Sequence, residues 1–126
     1  MNKILVIEDD AGLIKMYHEK LTEEGFEVYD EGDGEGGLAR ALKEHPDLIL
    51  LDINLPKMDG ITVMKKLRED AWGRSVPIVI VSNLNANDER MRAVVKNEPA
   101  YYLLKPDYTL EDVLSKIKEV LNKTVL

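Results

Sequence analysis

Cysteine is absent from all 126 residues, so there is no disulfide framework, thiol nucleophile or thiolate metal site, and any chemistry falls to oxygen and nitrogen groups. Long apolar runs are missing too. None approaches the roughly 18 residues that span a bilayer, and the opening Met-Asn-Lys enters a short strand-like run without a signal-peptide pattern, so a cytoplasmic location is expected. Basic charge is in deficit, with 17 Lys and Arg against 24 Asp and Glu for a net charge of -7, and no basic stripe is formed. That disfavours direct binding to nucleic acid, whose phosphates are held by clustered Lys and Arg. What remains is 44% apolar and 33% charged, an ordinary globular composition, expected to form a single domain over residues 1–126.

Five short apolar or alternating runs punctuate the chain: Lys3 to Glu8, Phe26 to Asp30, Asp47 to Asp52, Val76 to Ser82 and Ala100 to Leu104. Between them lie residues at helical spacing: Leu13, Tyr17 and Leu21; Leu38, Ala41 and Leu42; Val63, Met64 and Leu67; Met91, Val94 and Val95. A last helix carries Leu110, Val113, Leu114, Ile117 and Leu121, opened by a capping box of Thr109 and Asp112. Strands alternating with helices imply a parallel sheet covered on both faces, and the first, third and fourth strands are continuously apolar, as burial on both sides requires.

In a doubly wound sheet of this class, ligands bind beyond the carboxyl ends of the strands, where strand order reverses. Four strands here deliver polar residues to that edge: Glu8, Asp9 and Asp10 after the first, Asp52 at the third, Ser82 and Asn83 after the fourth, and Lys105-Pro106 after the fifth. Clustered carboxylates either hold raised pKa values or recruit a hard cation, and an all-oxygen site suits Mg2+. A carboxylate can attack phosphorus when cations offset the charge on the phosphoryl oxygens. Asp52 is thus the expected nucleophile, Asp9 and Glu8 the metal side, Lys105 the cation, and Ser82 a hydroxyl able to report the phosphoryl group. Asp10 is open to two readings, support for the metal pair or an N-cap.

With Glu8-Asp9 after KILVI, Asp52 in LILLDINLPKMDG, Ser82 after IVIV and Lys105-Pro106 after YYLL, the sequence resembles the receiver domains of two-component response regulators, of the chemotaxis-type single-domain kind, over essentially its full length. The resemblance implies a flavodoxin-like (βα)5 fold with a five-stranded parallel sheet of order 2-1-3-4-5. It implies transfer of a phosphoryl group from a sensor histidine kinase, or a phosphotransfer protein, to Asp52. It places Mg2+ on Asp9, Asp52 and the backbone carbonyl of Asn54, with Glu8 nearby or acting through water. It implies a cis Lys105-Pro106 bond, and a switch made of Ser82 and Tyr102. Downstream proteins would dock on the fourth helix, fifth strand and fifth helix, near Arg90, Tyr102 and Asp107, a face that also leaves homodimerisation open. Such a chain accepts phosphate and assists its own phosphorylation and dephosphorylation without being an enzyme acting on a separate substrate.

Departures from the family pattern are Glu98-Pro99 in place of Gly-Ala, Asp107 in place of an aromatic, and Asn83 in place of a small residue. Asn54 occupies a position the family uses to tune phosphate lifetime. Among other segments, GDGEGG (Gly32 to Gly37) fits a dinucleotide-loop pattern, but its acidic surroundings would repel a pyrophosphate, so it reads as a flexible loop. Tyr101 is expected in the core, opposite Tyr102, because strand side chains alternate. His18 and His45 read as solvated or cap-side, Lys57 and Met58 as turn residues, and Trp72 as loop packing. Two alternatives stand beside the receiver: a pseudo-receiver binding partners without phosphorylation, and an aspartyl-nucleophile phosphatase.

Overall fold

The computed structural model describes residues 2–85, 87–104 and 108–125. Strands and helices alternate in the order β1 (Lys3–Ile7), α1 (Ala11–Glu23), β2 (Glu27–Glu31), α2 (Gly34–Glu44), β3 (Leu48–Asp52), α3 (Gly60–Glu69), β4 (Ile78–Ser82), α4 (Met91–Lys96), β5 (Tyr101–Leu104) and α5 (Leu110–Val125). All four strand pairs are parallel, in the order β2-β1-β3-β4-β5. The expected α/β architecture and strand order are those observed.

Alternation along the strands divides the core in two. Leu5, Ile7, Ile49, Leu51, Ile78 and Ile80 point to one face, where Ala41 of α2, Val63, Met64 and Leu67 of α3, and Val94 of α4 cover them. Ile4, Val6, Leu48, Leu50, Val79 and Val81 point to the other, under Tyr17 and Leu21 of α1 and Val113, Leu114, Ile117 and Leu121 of α5. Because β1, β3 and β4 are interior strands, both of their faces must be apolar. Among the described residues no helix is long and apolar enough to cross a membrane.

Helix starts follow the local chemistry. Asp10 caps α1 by accepting from the N–H groups of Gly12 and Leu13 at 2.9 and 3.1 Å, the second of its two readings. Thr109 and Asp112 form the reciprocal capping box of α5: the Thr109 N–H donates to Asp112 (2.8 Å), and the Asp112 N–H donates to the Thr109 hydroxyl (3.2 Å).

Two expectations are corrected. Most of GDGEGG is not a loop: α2 begins at Gly34, capped by Asp33, which accepts from the Gly36 N–H at 2.7 Å. Its glycines are sites of close approach. A Cβ on Gly34 would lie 1.7 Å from the Met58 carbonyl oxygen, and one on Gly37 would lie 2.6 Å from the Ile7 side chain. Tyr101 is not in the core either: it is 40% exposed, with the Lys116 ammonium 4.3 Å above its ring. It sits on a four-residue edge strand, where alternation still sets side-chain direction but the neighbouring helix leaves the ring uncovered.

The histidines and Trp72 behave as read from the sequence. His45 is the left-handed C-cap of α2 and stacks on Trp72, with ring centroids 4.4 Å apart, while His18 Nδ1 meets Asp30 at 2.7 Å. Trp72 packs against the α2–α3–α4 side of the core. Lys57 takes a positive φ of 68° in the turn before α3, and the Met58 N–H donates to the Pro56 carbonyl at 2.8 Å.

Candidate phosphoacceptor and metal site

Strand order reverses between β1 and β3, and there the chain gathers its carboxylates. Glu8, Asp9 and Asp52 each bring an oxygen within 4.8 Å of the others. Glu8 is buried, Asp52 half-buried and Asp9 exposed, so the cluster opens to solvent on one side.

The turn after β3 holds Asp52 at this edge. The Gly60 N–H donates to the Ile53 carbonyl at 2.8 Å, and a Cβ at Gly60 would lie 2.3 Å from the Asp52 carbonyl oxygen and 2.8 Å from Ile53 Cα. Glycine therefore lets α3 start directly against the end of the strand. Asp59 caps that helix by accepting from the Thr62 N–H at 3.0 Å. The PKMDG segment is thus a turn, a cap and a close approach in succession.

Burial and crowding decide the protonation of the cluster. Burial first, then a hydrogen bond to Asp52 and the charges of Asp52, Asp9 and Asp10, push the Glu8 carboxyl up to about 8. Burial also raises Asp52, opposed by hydrogen bonds from Glu8 and from the N–H groups of Asn54 and Ile53. Burial and mutual repulsion therefore favour one proton held between Glu8 and Asp52 in the absence of a cation, and the two carboxyls titrate as a pair.

This protonation has a measurable consequence. Since Glu8 has a higher pKa folded (about 8) than at its ordinary value of 4.5, the folded chain binds the extra proton between those values and loses stability as pH rises through that window. Glu8→Gln is expected to melt at a higher temperature than the natural chain at about pH 8 without divalent cation, with the gap closing towards about pH 5. Thermal melts across that range check it, and a gap independent of pH would contradict it.

Ser82, almost fully buried at the end of β4, lies beside this pair, and its Oγ accepts from the Leu84 N–H at 3.1 Å. A small cavity of about 30 Å3 separates Asp52, Glu8 and Ser82 from Tyr17 and Tyr108. Burial raises the pKa of both tyrosines, and the Glu8 and Asp52 charges add to the effect, so both hydroxyls stay protonated. Sequence reasoning missed these two residues. Tyr17 fitted the apolar spacing of α1, and the only signal for Tyr108 was its place between Lys105 and the capping box. Asn54 is exposed, its N–H directed at Asp52 Oδ1 at 3.4 Å. Lys105, Pro106 and Asp107 lie outside the described residues, and the cis peptide expected at Lys105-Pro106 lies there with them. Leu104 pairs with Ser82, so β5 reaches the same edge.

A response regulator receiver domain model matches residues 4–118. The chain belongs to the response regulator receiver domain family. It is 36% identical over 112 residues to the response regulator PleD of Caulobacter vibrioides, covering 89% of this chain and 24% of PleD. With RpaA of Synechocystis, a DNA-binding dual master transcriptional regulator, it shares 32% over 124 residues, covering 98% of this chain and 51% of RpaA. The receiver thus spans about a quarter to a half of the length of these curated relatives. Among solved structures it resembles a CheY-like receiver from Methanospirillum hungatei with a TM-score of 0.89 and 28% identity, over 98% of this chain and 95% of the other. Vibrio cholerae CheY4 matches with a TM-score of 0.86 and 28% identity, over 95% and 98%. The receiver of the Pseudomonas aeruginosa sensor kinase PA1611, described with a magnesium ion coordinated in its active-site cleft, matches with a TM-score of 0.85 and 25% identity, over 96% and 98%.

Receiver domains work with histidine kinases and downstream effectors as phosphoacceptor signalling modules, and they bind Mg2+ at an acidic cluster. The cluster of Glu8, Asp9 and Asp52 has the hard oxygen donors and the excess negative charge that such an ion requires.

Proposed function

We propose that residues 1–126 act as one cytoplasmic receiver that takes a phosphoryl group onto Asp52 from the phosphohistidine of a sensor histidine kinase or phosphotransfer protein. The observation that carries this is the convergence of Glu8, Asp9 and Asp52 at the strand-order reversal of a receiver-family chain. In the transfer, an Asp52 carboxylate oxygen forms a bond to phosphorus while the P–N bond breaks and its electron pair returns to the donor imidazole. Asp9, Asp52 and the Asn54 carbonyl would hold Mg2+, with Glu8 nearby or through water. Bound there, the ion supplies positive charge against the phosphoryl oxygens.

The other residues act on the product. The Ser82 hydroxyl, which accepts from the Leu84 N–H, donates its own proton to a phosphoryl oxygen, and Lys105 contributes a cation. Movement of Ser82, with Tyr102, then carries the signal to the surface of α4, β5 and α5. Support for docking there comes from its exposed apolar groups, Val95, Tyr101 and Tyr102, beside a groove of about 590 Å3.

The test is intact mass after incubation with acetyl phosphate. One added phosphoryl group with Mg2+, and none after chelation, is expected. No adduct while donor is intact would favour a pseudo-receiver, and sustained donor turnover without adduct would favour a phosphatase.

A further inference from the structure

The loop leaving β4 reaches back to the loop leaving β3 through one side chain. Arg90 Nε and Nη2 grip the two carboxylate oxygens of Asp88 at 3.1 and 3.0 Å, and the Arg90 N–H donates to Asp88 Oδ1 at 2.9 Å. This two-point grip fixes the guanidinium plane. The remaining nitrogen, Nη1, donates to the side-chain oxygen of Asn54 at 3.2 Å. Asn54 in turn directs its N–H at Asp52. The contacts form a chain from Asp88 through Arg90 and Asn54 to Asp52. The hydrogen bond to Asp88, with the charges of Asp88 and Asp59, raises the pKa of the guanidinium, so the donor is always present.

We infer that Arg90 is a positioning residue that lengthens the life of the phosphoryl group on Asp52 by fixing the side-chain amide of Asn54. This rests on Asp52 being the acceptor. In hydrolysis a water oxygen bonds to phosphorus while the P–O bond to Asp52 breaks, its electron pair returning to the carboxylate and the water proton passing to phosphate or solvent. A group that accepts a hydrogen bond from that water orients it for attack. The acceptor of the Asn54 amide is Oδ1, and Arg90 turns it towards the guanidinium and occupies one of its two lone pairs. An oxygen already held by a cationic donor is a weaker acceptor and is not free to turn towards the attacking water, so that water is oriented less well for attack.

The experiment follows loss of the phosphoryl group by intact mass, after donor removal, in the natural chain, Arg90→Ala, Asn54→Ala and the double variant. Arg90→Ala is expected to lose phosphate about five- to tenfold faster, the upper part of the range that one ordinary, solvent-exposed hydrogen bond commands. In the Asn54→Ala background the same change is expected to have no further effect. The Asn54 side-chain amide resonances should shift in Arg90→Ala while its melting temperature stays that of the natural chain, which a merely structural role would not produce. Equal decay in the natural chain and Arg90→Ala, or equal acceleration with and without the Asn54 side chain, would overturn the positioning role while leaving Asp52 as acceptor. A natural chain that takes up no phosphoryl group would overturn the acceptor assignment and the lifetime role with it.

Discussion

Asp52→Asn is expected to reduce the phosphoryl adduct formed from acetyl phosphate and Mg2+ to background while leaving the fold intact. The amide is nearly isosteric with the carboxylate, but it has no anionic oxygen to attack phosphorus and is a weaker ligand for a hard cation. The fold should not suffer, because the carboxylate it replaces is partly buried and crowded by Glu8 and Asp9. Burial raises the pKa of Asp52, and its charge and hydrogen bond help push the Glu8 carboxyl up to about 8. Removing that charge relieves both residues, so the metal-free variant should melt at or above the temperature of the natural chain near pH 8. Intact mass and thermal melts on one preparation separate the two effects. Undiminished labelling of a folded Asp52→Asn chain would place the acceptor elsewhere.

Arg68→Ala is expected to lower stability by about 3 kcal/mol, a large effect for a charged side chain away from the acidic edge. The guanidinium at the end of α3 donates to four backbone carbonyls: Asn97 (2.9 Å), Gly73 (2.8 Å), Val76 (2.8 Å) and Glu98 (3.0 Å). It binds the segment entering β4 to the turn entering β5, where Glu98 takes a φ of 52° although it is not glycine. Truncation leaves partly buried carbonyls without their donor and releases the turn. Arg68→Lys should recover little of the loss, because an ammonium is a single point and cannot reach four carbonyls spread around a planar fork. Urea unfolding midpoints at constant slope check both variants. A loss below about 1 kcal/mol for Arg68→Ala would mean that the turn holds itself.

Much of this molecule was legible locally. The runs ending at Ile7, Asp52 and Ser82 are apolar on both sides because interior parallel strands are covered on both faces, and that pattern lies in consecutive residues. The α5 capping box and the placing of Glu8, Asp9, Asp52 and Ser82 at strand ends were readable for the same reason. The errors came where a partner distant in sequence decides. Glycine is penalised in helices, so Gly32 to Gly37 read as a loop until the Met58 carbonyl and Ile7 showed why side chains are excluded there. Alternation assigns Tyr101 a face, but only the edge position of β5 leaves it uncovered.

The sequence by itself determined the kind of sheet and the chemistry offered at its edge, because period-two and period-3.6 patterns and capping residues act over a few positions. Only the tertiary structure decided that burial and Asp52 raise the Glu8 carboxyl, that Tyr17 and Tyr108 line the cavity beside them, and that Arg90 reaches Asn54. Burial and distances between residues tens of positions apart set those properties, and they come into being only when the strands are side by side.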